Sequence, residues 1–265
     1  MQRIAIIGAG NMGSTIARGF LSQDNILLTL ANRSVQRLQK FENLIENSAM
    51  SGRLICTPDI ADSVKGADIV ILAVKPWAIE DVIGKIKSCL NENAIIISVA
   101  AGIGLAQLED MLGGKYSGIV YMIPNTAIQV NRGMSFAAET GLSAKNHETL
   151  AALFEPMTRL EFIDESKMGA VTALCSCGIA YVYKFIAAAA QAGVELGLPY
   201  NDAVDYFTAT VAGAAAMIEH EDLTVQEHIN AVTTPGGMTI RGINALERNG
   251  FPAAVIESIK QSLKK

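Results

Sequence analysis

Hydrophobic positions fall into two regimes along the chain. Up to about residue 164, short apolar runs alternate with stretches whose apolar residues recur at helical spacing. The runs lie at residues 4–7, 26–31, 54–57, 68–74, 94–100 and 117–123. Runs of this length without polar alternation predict strands covered on both faces, the condition of a parallel sheet between helices. Residues 14–21 read as a helix and 59–65 as a shorter one, and 134–138 and 159–163 complete the sheet. The pattern predicts an α/β fold with a doubly wound, mostly parallel sheet.

Strands disappear from Lys167 onward, and residues 168–196 and 201–220 become long Ala-rich helices separated by the stop Gly197-Leu198-Pro199. The second is expected to open at Asn201-Asp202. Helices apolar on nearly every face are not surface helices. Lys184 and Gln191 interrupt the first, and Asp202 and Asp205 precede the second, so neither offers a lipid-like run of ~20 residues. The expectation is burial against a second copy, an obligate homodimer with interleaved helices. Residues 1–164 then form an α/β domain and 165–265 an all-α domain that dimerises. The last helix, residues 253–263, is followed by Lys264 and Lys265, cations that suit a helix C-terminus.

Half of the 265 residues are hydrophobic and 18% are charged, which fits a sizeable core. A net charge of −5 argues against nucleic acid as partner. Cys56, Cys89, Cys175 and Cys177 form no C-x-x-C pair, and His147, His220 and His228 have no metal-ligand spacing with them. No metal is expected, and each cysteine reads as a small buried side chain in a reducing compartment. The first strand begins too early for a basic segment and an apolar export segment before it, so a cytoplasmic location follows as an expectation.

The chemistry starts at Gly8-Ala-Gly10-Asn11-Met12-Gly13, which follows a strand and opens a helix. In that setting G-x-G-x-x-G is a dinucleotide fingerprint. Gly8 turns the chain, Gly10 admits a pyrophosphate to the backbone, Gly13 packs helix on sheet, and the helix N-terminus offers N–H groups. The fold is thereby narrowed to the Rossmann type. Asn32-Arg33-Ser34 ends the second strand, where an NAD-preferring site places a carboxylate roughly 20 residues past the glycines. A guanidinium and a hydroxyl there favour a 2′-phosphate, hence NADPH, with NADH weaker. Ala73-Val74-Lys75-Pro76, Ala100-Ala101 and Pro124-Asn125-Thr126 end three further strands, at the edge where ligands bind in such sheets. Lys75 is their one charged side chain and reads as a cofactor contact. In the second half, Thr234-Pro235-Gly236-Gly237-Met238-Thr239 leads into a helix, with Pro235 expected in its first turn. Its glycines expose backbone N–H groups, so the loop reads equally as an anion nest for a carboxylate or an ordinary helix start.

Taken together, these segments resemble the Δ1-pyrroline-5-carboxylate reductases of proline biosynthesis. The resemblance runs over nearly the whole chain: the Gly8 fingerprint, Asn32-Arg33, residues 73–76 and 100–102, Pro124-Asn125-Thr126, Ala192-Gly193-Val194-Glu195-Leu196-Gly197-Leu198-Pro199, and Thr234 to Gly237 with Thr239. It implies an NADPH-binding Rossmann domain, a dimerising helical domain and assembly up to decamers. It further implies a substrate carboxylate on the loop Thr234, Gly236, Gly237, Met238, Thr239. Thr239 is implied as the catalytic contact to the ring nitrogen, and hydride passes to the imine carbon. A protonated imine is already an electrophile, so the reaction asks for positioning more than for an acid–base pair. The chain departs from the family at Cys175-Ser-Cys-Gly-Ile-Ala-Tyr181, at Ala127 in place of a proline, and at Ile60 in place of an asparagine near the ribose. The departures set two rivals beside this reading, a paralogue for another cyclic imino acid and a non-catalytic NADPH-binding protein, and the shared Rossmann-plus-helices layout a third, a β-hydroxyacid dehydrogenase using Lys167 or Lys184.

Overall fold

A computed structural model describes residues 1–46, 51–114 and 116–263. Contacts divide the chain into two compact units, Met1–Ser176 and Cys177–Lys265.

Unit 1 is a single eight-stranded sheet in the order β3-β2-β1-β4-β5-β6-β7-β8. Its strands are β1 Gln2–Ile7, β2 Ile26–Ala31, β3 Leu54–Thr57, β4 Ile69–Leu72, β5 Ile95–Ser98, β6 Gly118–Pro124, β7 Gly133–Thr140 and β8 Thr158–Phe162. The first six are mutually parallel, β7 runs antiparallel to β6, and β8 is parallel to β7. The order outward from β1 reverses between β1 and β4, which makes the carboxyl edge beside β1 the topological switch point. Strands β4 and β5 are buried at every position, as continuous runs without alternation require.

Helices cover both faces. On one, α1 Asn11–Leu21, α2 Val35–Ile45 and α5 Ala144–Phe154 bury Phe20, Phe41 and Phe154, with Phe20 and Phe154 edge to face at 5.2 Å. On the other, α3 Ile79–Ile86 and α4 Leu105–Leu112 bury Ile79, Ile83 and Leu108 with Ile60 and Met168. The predicted strands at 68–74 and 94–100 are shorter than their apolar runs, because Ala73, Val74 and Ala100 have already turned out at the carboxyl edge. Pro124 closes β6 from inside rather than following it. Only one 3-10 turn, Asp62–Val64, forms where a helix was predicted at 59–65, with the Asp59 carboxylate accepting from the Ala61 and Asp62 N–H groups.

Beyond β8 come α6 Met168–Val171, a π-helical turn Thr172–Cys177 and, in unit 2, α7 Gly178–Glu195. Helical residues Glu165–Glu195 run for 31 residues and contain an 18-residue window of mean hydropathy 1.5, enough to cross a membrane by length and composition alone. Lys184 and Gln191 interrupt that stretch, as the sequence pattern indicates. Unit 2 continues with α8 Tyr200–His220, α9 Val225–Ala231, α10 Met238–Arg248 and α11 Phe251–Gln261. Helix α8 is capped by Pro199, not at Asn201-Asp202, which lie inside its first turn. Pro252 stands in the first turn of α11, so the last helix starts two residues earlier than its apolar pattern. Lys264 and Lys265 lie outside the described residues.

Within unit 2, α7 and α8 pack closely because Gly193 has no side chain: a Cβ there would lie 2.7 Å from that of Ala203. Phe185 meets Phe207 edge to face at 5.2 Å. Among the described residues of the unit only Ala190 and Ala203 are buried hydrophobics, while Tyr183 is 65% and Leu196 84% exposed. Apolar exposure on this scale marks a surface suited to cover by a partner.

Candidate functional site

The carboxyl edge beside β1 is built on the three glycines, and each is used differently. Gly8 has φ +115°, and a Cβ on it would sit 2.4 Å from the Ala73 carbonyl oxygen. The turn therefore needs glycine for both backbone angle and space. Gly8 N–H donates to the Ala31 carbonyl at 2.7 Å and Ala73 N–H to the Ile7 carbonyl at 2.8 Å, fixing the ends of β2 and β4 on either side. Gly13 lies in the first turn of α1, where a Cβ would come within 1.9 Å of the Gly8 carbonyl oxygen. Gly10 is the reverse case, with nothing within 4 Å of a Cβ built on it. It caps α1 without any side-chain hydrogen bond. The outcome is an open cradle at a helix N-terminus whose first N–H groups have no partner inside the helix, flanked by Asn11 and Met12. A pyrophosphate fits that cradle, and among the described residues no side chain competes for it.

At the end of β2, Asn32 accepts from Ala9 N–H at 3.3 Å and donates to the Ser34 carbonyl at 3.2 Å. Its amide ties the strand end to the glycine turn, so it shapes the cradle from behind. Arg33 is exposed, and Ser34 caps α2 without using its hydroxyl on the helix. Among the described residues neither side chain has a hydrogen-bond partner, and the cation and hydroxyl read from sequence both stand at this end of β2.

Ala73 and Val74 are half-buried against the Gly8 turn, and Lys75 is exposed before the one-turn helix Pro76–Ala78. Ala100 is buried and Ala101 exposed after β5. Gly102 N–H donates to the Tyr121 hydroxyl at 3.0 Å, which holds that loop to β6. No motif marks Tyr121; the signal is a single aromatic hydroxyl in an otherwise aliphatic strand. Asn125 is only 8% exposed. Its Oδ1 accepts from Ala127 N–H and Met134 N–H, each at 3.2 Å, and its Nδ2 faces the Cys175 carbonyl at 3.4 Å. The amide of Asn125 clamps the end of β6 to β7 and to the π turn. The Asn125 amide thus donates to a carbonyl within the π turn. The departure run Cys175 to Tyr181 begins in that turn. Burial pushes the Cys175 thiol up, so it stays protonated. None of the four cysteines is fully buried, and none is in a disulfide. Among the described residues no cluster of His, Cys, Asp or Glu has the makings of a metal site.

In unit 2 the loop between α9 and α10 is held from its N-terminal side. Thr224 and Glu227 form a capping box on α9, and the Thr233 hydroxyl donates to the Ile229 carbonyl at 2.9 Å. Pro235 and Gly236 make a turn ahead of α10, so Pro235 is not in its first turn. Gly236 has φ +74°, and Gly237 N–H donates to the Thr234 carbonyl at 3.0 Å. A Cβ on Gly237 would lie 2.6 Å from the Thr234 hydroxyl, which explains the second glycine. Gly237 caps α10 with no side-chain hydrogen bond and no acid in the first turn, leaving a bare helix N-terminus for an anion. Met238 and Thr239 stand exposed at its rim. Of the lysines weighed for an alternative chemistry, Lys167 ends a 3-10 turn and Lys184 lies on α7, and both are exposed.

Comparison with known proteins matches the two halves of the chain separately. Residues 165–265 match the family described as pyrroline-5-carboxylate reductase dimerisation. Residues 3–102 match one described as NADP oxidoreductase, coenzyme F420-dependent, a match that ends before any of the Thr234–Thr239 loop. A pyrroline-5-carboxylate reductase of Dictyostelium discoideum is 33% identical over 100% of this chain and 92% of its own length. One from Aquifex aeolicus is also 33% identical, over 100% and 96%. Among solved structures, a pyrroline-5-carboxylate reductase from Coxiella burnetii superposes with TM-score 0.88 at 27% identity, covering 98% of this chain and 95% of that one. The pyrroline carboxylate reductase of Plasmodium falciparum, solved with NADP bound, gives 0.85 at 26%, covering 99% and 96%.

Proposed function

This chain belongs to the pyrroline-5-carboxylate reductase family, and on that premise we propose that it reduces the C=N bond of 1-pyrroline-5-carboxylate to L-proline with NADPH. The observation that carries the reading is the pair of bare helix N-termini. One is a dinucleotide cradle at Gly10, and the other a carboxylate nest at Gly237. NADPH, when bound, supplies the hydride. Gly8, Gly10, Asn11, Met12 and Gly13 receive the pyrophosphate on backbone N–H groups. Arg33 and Ser34 bind the 2′-phosphate, with Asn32 holding the turn behind them. Ala73, Val74, Lys75, Pro76, Ala100 and Ala101 border the remaining half, and Asn125 holds that border in place.

The nest of Thr234, Gly236, Gly237 and Met238 takes the substrate carboxylate, and the Thr239 hydroxyl orients the ring nitrogen. Such a site acts by holding an electrophile that is already protonated, so its contribution is position and preorganised dipoles. The oligomer buries the apolar helices of unit 2 in an interleaved dimer, from which a decamer is built, and the enzyme works in the cytoplasm. Residues 1–164 serve the cofactor and 165–265 the substrate and the dimer.

Steady-state oxidation of NADPH and of NADH with pyrroline-5-carboxylate tests the proposal. Turnover with proline formed, and a clear preference for NADPH, is expected. Turnover only with a 3-hydroxy acid or another cyclic imine, or binding without oxidation, would replace it.

A further inference from the structure

Trp77 is the only tryptophan in the sequence, and it is 82% exposed. It sits on the one-turn helix Pro76–Ala78, directly beyond β4, at the same edge as the Gly10 cradle. Its backbone is held firmly, since Ala78 N–H donates to the Lys75 carbonyl at 2.9 Å and Ile79 is fully buried. A rigid mount carrying a large aromatic into solvent, next to a ligand cradle, calls for a flat ligand surface to cover the ring.

Three further observations point to which part of the ligand that is. First, Val35, the opening residue of α2 just past Arg33 and Ser34, is itself 50% exposed, so both strands flanking β1 carry an uncovered apolar side chain at their carboxyl ends. Second, Ile60 shares one buried layer with Ala31 at the end of β2 and with Ile79 at the start of α3. The core beneath this end of the sheet is therefore aliphatic. Third, the ends of β4 and β5 that border the other half of the cradle are short: Ala73, Ala100 and Ala101. An aliphatic core and an indole suit a purine face, while short side chains leave room for a second reactant. Resting on the NADPH reading, we infer that Trp77 stacks on the adenine ring of the cofactor and that Ile60 and Val35 complete an apolar adenine pocket.

Because there is one tryptophan, its emission reports this contact alone. The probe is 2′,5′-ADP, which carries the adenine and the 2′-phosphate but no nicotinamide to accept excitation energy. Titration should quench the emission in step with binding measured by calorimetry. Trp77→Ala should weaken both 2′,5′-ADP and NADPH about tenfold, as loss of one base–aromatic stack does, and Trp77→Phe should recover most of it. Affinity for reduced nicotinamide mononucleotide should stay unchanged. Binding of 2′,5′-ADP with unaltered emission and equal affinity in Trp77→Ala overturns the stacking while leaving the NADPH reading intact. So does a loss confined to the nicotinamide fragment. If neither 2′,5′-ADP nor NADPH binds the wild-type protein, the NADPH reading itself fails and the inference with it.

Discussion

Replacing Gly10 and Gly13 separately by alanine should split cofactor binding from stability, although both belong to one motif. At Gly13 the added methyl carbon would lie 1.9 Å from the Gly8 carbonyl oxygen and 3.1 Å from the Ala73 Cβ. The first neighbour is backbone, and ordinary contact needs some 3.4–4 Å, so α1 must move by more than an ångström. Overpacking of that kind costs about 1–3 kcal/mol, and the better helix propensity of alanine returns at most ~1 kcal/mol. A net loss on the order of 2 kcal/mol would lower the melting temperature by roughly 4–8 °C, with NADPH affinity falling as the helix leaves the turn. At Gly10 nothing lies within 4 Å and φ is −83°, so alanine fits the backbone as it stands. Loss of glycine at a helix cap costs at most about 1 kcal/mol. The methyl group instead occupies the opening through which a pyrophosphate reaches the N–H groups, and NADPH affinity should fall by tenfold or more. Thermal unfolding without ligand, beside NADPH titration of each variant, reads the two effects. A Gly10→Ala protein that binds NADPH normally, or a Gly13→Ala protein that melts with the wild type, would refute the assignment of those roles.

Other outcomes follow from the same geometry. Arg33→Asp should weaken NADPH far more than NADH, because the exposed guanidinium is replaced by a charge that repels the 2′-phosphate; equal losses would remove Arg33 from cofactor choice. Thr239→Ala should lower turnover with NADPH affinity nearly intact, and unchanged turnover would take the hydroxyl out of the mechanism. Burial and the neighbouring Glu42 push the Cys56 thiol up to about 12, so at pH 8 only about one molecule in 10⁴ carries the thiolate. Alkylation of Cys56 in the folded protein should accordingly be negligible at pH 8, and rapid labelling located there by mass spectrometry would contradict its burial.

How much of the fold and the site is legible in the sequence depends on whether the signal is local. The parallel strands can be read because burial on both faces writes an unbroken apolar run, as in Ile69–Leu72, and β3 is bounded at Leu54–Thr57 in pattern and fold alike. Strand ends are overextended where Ala73, Val74 and Ala100 stay apolar after leaving the sheet. The glycines of the cradle stand out because spacing and backbone angle are sequence-local demands. The roles of Asn32 and Asn125 do not. Their amides are bound by Ala9, Ala127, Met134 and Cys175, partners that only the folded loop assembles. The π turn at Thr172–Cys177 is hidden for the same reason, since its apolar pattern continues that of a regular helix. In unit 2 the all-round apolar helices already imply a missing covering surface, and the exposure of Tyr183, Leu196 and Met238 agrees with it.

The central claim is that hydride passes from NADPH to the imine carbon of a cyclic substrate held by its carboxylate. It is tested most directly with NADPH deuterated at the transferable C4 position and pyrroline-5-carboxylate in ordinary water, followed by mass and NMR analysis of the product. The account predicts proline with one deuterium on the ring carbon that was doubly bonded to nitrogen. Proline without deuterium, or deuterium retained in the nucleotide while the substrate is unchanged, would contradict it.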